Sequence, residues 1–160
     1  MSVFTGSTQN IVVRYWVKQI TPPVASRYIS AHIHPIRPKV VHMSAHRPKD
    51  TLWWRVSVNK ILPERRVVRS WCARRVRTAF AQAMRQHGFD EVGRLLPGSS
   101  EGQGNLTGTL EIFIHPPCVV QSYEVVQKDA SQLLSEVMAH RAAQISTPKD
   151  ASTKNASTKS

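Results

Sequence analysis

At 160 residues the chain has room for one domain with a real core but not for two. Apolar residues make up 41% and charged residues 20%, so part of the chain is expected to stay outside the packed body. A net charge of +12 favours nucleic acid, an anionic membrane surface or acidic protein as partner, and no apolar run approaches the roughly 18 residues of a membrane span.

The charge is unevenly placed. Residues 1 to 49 hold seven Lys or Arg and no acid, residues 50 to 94 are net +6, residues 95 to 145 are net −3, and the tail from Ser146 is net +2. A basic half beside a mildly acidic one suggests a single anion-facing surface.

In chain order, residues 11 to 20 alternate in part: Val13, Tyr15 and Val17 point one way, and Arg14, Trp16 and Lys18 the other. This is a strand pattern, ended by Pro22-Pro23. Residues 21 to 49 contain five prolines and four histidines and read as an irregular arm or linker. The whole of residues 1 to 50 is therefore expected to be a basic Pro/His-rich arm. Three explanations stay open: a mitochondrial-type presequence, an arm that orders on a polyanion, or a true start at Met43 that leaves the core unaffected.

Residues 51 to 59 alternate cleanly, with Leu52, Trp54, Val56 and Val58 on one face and Trp53, Arg55, Ser57 and Asn59 on the other. One indole should therefore face the core and the other outward, with the strand at 11 to 20 as a candidate cover. Pro63-Glu64 marks a helix start and Gly88 a stop after His87. Val68, Cys72, Val76, Ala79, Phe80, Ala83 and Met84 form its apolar stripe, while Arg74, Arg77 and Arg85 fall opposite and Trp71 at the margin. Arg65 and Arg69 begin on the apolar side and must carry their charges around an edge.

Residues 93 to 105, rich in glycine and with Pro97-Gly98-Ser99-Ser100, read as a flexible loop without a phosphate-cradling pattern. Residues 106 to 115 alternate, with Leu106, Gly108, Leu110, Ile112 and Ile114 on one face and Glu111 on the surface side. Pro116-Pro117 ends that strand. A second helix is expected from Ser122 to about Arg141, burying Val126, Ala130, Leu133, Leu134, Val137 and Met138. The tail, with Ala-Ser-Thr-Lys twice, reads as disordered from about residue 144.

The expected fold class is α/β, with α+β as the variant. It is a small β-α-β-α domain over residues 51 to 143, its two strands paired in parallel by a right-handed crossover. Two strands make a marginal sheet, so a third should come from residues 11 to 20 or from a partner. The order is a fold-level likeness to small ribosomal and ribonucleoprotein domains. The aromatic RNA-recognition submotifs and the Gly-x-x-Gly loop of KH domains are absent from the sequence.

Little in the chain points to catalysis or a cofactor. His32-x-His34, with His42 and His46, is the one metal-like cluster, and lacking a nearby cysteine or carboxylate it reads as solvated loop histidines. Cys72 and Cys118 read as reduced and structural, which points weakly to an intracellular location. The functional candidate is the arginine-rich helix. Arg66, Arg74, Arg75, Arg77 and Arg85 would hold phosphates, and Trp53, Arg55 and Trp71 would stack or contact bases. Alternatively those arginines pair with Glu124, Asp129 and Glu136 of the second helix. The expectation is a non-enzymatic RNA-binding accessory or structural component of a ribonucleoprotein particle, mitochondrial (as in a mitochondrial ribosome) or nuclear and nucleolar. Metal, cofactor and small-molecule substrate are not expected. The rival is a protein-interaction subunit that completes its sheet with a partner or a second copy.

Overall fold

The computed structural model describes residues 3–99 and 104–146. Four strands form one mixed sheet: β1 (Val3–Ser7), β2 (Ile11–Trp16), β3 (Leu52–Ser57) and β4 (Gly108–Ile114), in the order β1-β2-β4-β3. Four α-helices accompany them: α1 (Pro23–Ser30), α2 (Arg37–Ala45), α3 (Arg66–Gln86) and α4 (Tyr123–Ser146). The mixed α/β class holds. β3 and β4 pair in parallel across α3, with Trp54 opposite Leu110 and Val56 opposite Ile112.

The expected boundary at residue 50 does not hold. β2 pairs antiparallel with β4, and β1 adds to β2's other side, so the first sixteen residues supply half the sheet. Ile11, Val13 and Tyr15 are fully buried and stand opposite Ile114, Ile112 and Leu110. A chain beginning at Met43 would lack these residues, so the core depends on the segment before it. The strand expected through residue 20 stops at Trp16, because the chain then folds back across the sheet. Ile20 N–H donates to Thr109 Oγ1 at 2.8 Å, and that hydroxyl donates to Lys18 O at 3.1 Å.

Residues 21 to 49 are not extended. Pro22 and Pro23 stand at the start of α1 and Pro38 in the first turn of α2, where a missing N–H removes no helical bond. Read as breakers, these prolines are helix starts. Neither helix buries a residue. The pair is tied together by Arg37 Nε donating to Ile29 O at 3.1 Å.

Both long helices cover one face of the sheet. The α3 stripe is as its period requires: Cys72, Val76, Ala79, Phe80, Ala83 and Met84 are buried, with Val68 half-buried against them. The helix begins later than Pro63-Glu64, because Asn59–Ile61 forms a 3-10 turn and Glu64 N–H bonds Ile61 O at 3.1 Å. Its end is set by Gly88 at φ +82°, where Phe89 N–H returns to Met84 O at 2.9 Å. From α4, Val126, Ala130, Leu133, Leu134 and Val137 are buried, and Met138 lies half-buried against the core. Each such large side chain contributes about 1.5–3 kcal/mol of burial. Leu133 reaches the backbone of β1 at Gly6, which places α4 over the β1-β2 side of the sheet.

The first part of the expected loop at 93 to 105 is ordered packing. Leu95 packs half-buried on the core and forms a bridge with Phe89, the Leu95 N–H donates to Asn105 Oδ1 at 3.0 Å, and Leu106 N–H bonds Gly93 O at 2.7 Å. Residues 100–103, and the tail from residue 147 with its repeat, lie outside the described residues. α4 runs to Ser146, past the expected end near Arg141 and past the expected start of the tail at residue 144.

Candidate nucleic-acid interface

The amphipathic geometry of α3 divides its arginines. Arg66, Arg74 and Arg77 are exposed on one flank, and with half-buried Arg69 they line a concavity of about 490 Å³. Val56 and Val58, on and just after β3, form its other wall. Because β3 pairs with no strand but β4 among the described residues, this groove runs along an open sheet edge. Among the described residues none of these four arginines makes an ion pair with a carboxylate. Arg69 Nε is buried with no hydrogen-bond partner there. That nitrogen is out of a ligand's reach, so what the groove offers a phosphate oxygen is the exposed guanidinium groups of Arg66, Arg74 and Arg77.

The other expected site residues are committed elsewhere. Arg75 turns to the opposite flank, where Nη2 donates to Gln121 O at 2.8 Å and the guanidinium lies 4.3 Å over the Trp71 ring. Trp71 is therefore capped by its own helix, although 45% of it is exposed. Arg85 pairs with Glu91, both largely exposed. Arg55 leaves the helix-covered side altogether and pairs with Glu111 on the open face of the sheet. Glu111 is thus not a free surface carboxylate: its side chain is only 13% exposed. Among the described residues the acids of α4 make no ion pair with the arginines of α3. Asp129 accepts from Asn10 Nδ2 at 2.7 Å and Thr8 Oγ1 at 3.2 Å, and Glu136 accepts from Gln132.

The two neighbouring tryptophans divide as alternation requires, but the covers differ from the expected strand. Trp53 lies on the open face, donates to Pro48 O at 2.9 Å and carries the Arg47 guanidinium 4.2 Å over its ring. Trp54 points toward the helix side and donates to Glu91 O at 2.9 Å. Alternation puts Trp16 on the Arg14 face, but only strand order places it level with Trp53. Both pair with Thr109 of β4. Arg14 joins this face, its guanidinium 5.2 Å from the Phe113 ring. Arg47 sits in the segment read as irregular and carries no sequence signal.

The histidines do not converge. His42 and His46 stack at 4.0 Å along α2, while His34 meets Tyr28 and accepts from Ile36 N–H. Among the described residues no group of three His, Cys, Asp or Glu is placed to hold a metal ion. Cys72 and Cys118 are buried and free. Burial pushes both thiols up, Cys118 to about 11 with Cys72 adding to the effect, so neither is a ready nucleophile near neutral pH. Among the described residues no helix is long and apolar enough to cross a membrane.

Comparison with protein-family models, with curated proteins and with solved structures yields no match.

Proposed function

We propose that the protein binds RNA through the α3 groove, as a non-enzymatic component of a ribonucleoprotein particle. The observation that carries this reading is the set Arg66, Arg69, Arg74 and Arg77, four arginines on one concavity with no carboxylate partner among the described residues. Guanidinium forks match phosphate oxygens in pairs, and an open groove lets a backbone pass along them. Arg75, Arg85 and Arg55 take no direct part, because each already has a protein acceptor.

The test is binding of a fluorescent single-stranded RNA and a matched duplex DNA to the full chain, at low and at moderate salt. Affinity that falls log-linearly with salt and favours RNA supports the reading. Absence of binding at low salt would overturn it.

One observation favours a second reading. Beyond Leu52, whose N–H bonds Val92 O, the outer edge of β3 pairs with no strand among the described residues and is flanked by Val56 and Val58, a place where a partner's strand could add to the sheet. The chain's own β1 and β2 already complete four strands, so folding does not require such a partner. This reading predicts a protein complex whose affinity changes little with salt.

A further inference from the structure

The open face of the sheet carries a second cavity, of about 260 Å³, that the α3 groove does not use. Its floor is a cross-strand row. Trp16 on β2 and Trp53 on β3 both stand opposite Thr109 on the strand between them. With strands about 4.8 Å apart, the two indole-bearing backbones are separated by roughly 10 Å across Thr109. Thr109 is fixed there, its hydroxyl bonded to Ile20 N–H and Lys18 O. The chain from Ile20 to Pro23 walls one side. The result is a slot between two aromatic residues, too small for an extended ligand and suited to one flat ring system.

Its charges select the ring. Arg47 and Arg55 both line the slot against the single carboxylate of Glu111, which disfavours the methylated ammonium ions that aromatic pockets otherwise attract. A base carrying a phosphate meets no such penalty, and the Arg47 plane over Trp53 is itself a stacking surface. Glu111 Oε1 takes both Nε and Nη2 of Arg55, at 2.9 and 2.5 Å, while Oε2 has no partner among the described residues. A free carboxylate oxygen accepts from a base edge that donates. Guanine presents two adjacent donors there, N1–H and N2–H, whereas adenine sets its single N6–H donor beside an N1 lone pair that the carboxylate repels.

We propose that this slot holds one unstacked guanine base, stacked against Trp16 and the Arg47-capped Trp53 and read by Glu111. That the base belongs to an RNA strand rests on the function proposed above; the slot's own chemistry does not use α3.

The test follows the four tryptophan indole N–H resonances, assigned with Trp→Phe variants, as the full chain is titrated with guanosine 5′-monophosphate, adenosine 5′-monophosphate and ribose 5-phosphate. Trp16 and Trp53 should move with the guanine nucleotide at several-fold lower concentration than with the adenine one. Trp71 should stay still, and ribose 5-phosphate should move none of them. Trp16→Leu should weaken both nucleotides roughly tenfold. Glu111→Gln, which keeps an acceptor for Arg55, should bring the two nucleotides to near parity. The proposal is overturned if Trp16 and Trp53 do not respond, if ribose 5-phosphate moves them equally, or if Glu111→Gln keeps the guanine preference. The double variant Arg74→Glu with Arg77→Glu separates the two readings: a preserved nucleotide response with RNA binding unrelated to α3 leaves the slot standing and removes the groove.

Discussion

The two flanks of α3 carry the same residue type in opposite circumstances. On the β3 flank, Arg66, Arg74 and Arg77 are exposed without a carboxylate partner among the described residues. On the α4 flank, Arg75 is half-buried, bonded to Gln121 O and stacked on Trp71. A net charge counts these arginines alike, but only the first set is available to a ligand without breaking something. The second set holds the helix to its neighbours.

The comparison yields expectations in decreasing size. Both flanks exist only because the sheet is complete, so removal of residues 1–42 takes away β1, β2 and the buried Ile11, Val13 and Tyr15. The remaining chain should show no cooperative thermal transition by circular dichroism; a sharp transition would separate the α3 groove from the N-terminal strands. Next, Arg74→Glu with Arg77→Glu should lower RNA affinity by about 100-fold or more at low salt, since two attractive interactions become repulsive. The melting temperature should be nearly unchanged. A stability loss with retained affinity would reverse the two flanks' roles.

Arg75→Ala should do the opposite. It removes the guanidinium hydrogen bond to Gln121 O and a cation–π interaction, so a decrease of about 1 kcal/mol in urea unfolding is expected, with RNA affinity within about threefold of wild type. Smallest is Arg85→Ala, which breaks an ion pair between two largely exposed side chains. Its effect on unfolding should stay within about 0.5 kcal/mol.

Much of this was legible in the residue pattern. The α3 and α4 stripes and the β3 and β4 alternation follow from periodicity, because each element presents one apolar face to the same core. β1 was not legible: Val3-Phe-Thr-Gly-Ser is five residues long and includes a glycine, a weak strand pattern that pairing with β2 stabilises. α1 and α2 were hidden because proline ends a strand and also begins a helix, and sequence alone does not choose between these roles. The arginine cluster was visible as composition, but its division was not. The partners that bind Arg55, Arg75 and Arg85 are Glu111, Gln121 and Glu91, and topology rather than the pattern of α3 brings them into place.

The most direct measurement is the slope of log affinity against log salt for a single-stranded RNA, compared among wild type, Arg77→Gln and Arg85→Gln. Removing one phosphate-binding arginine should reduce the slope's magnitude by about 0.7. The account predicts that reduction for Arg77→Gln and none for Arg85→Gln, whose side chain is already paired. Equal slopes for all three proteins, or a change at Arg85 alone, would contradict it.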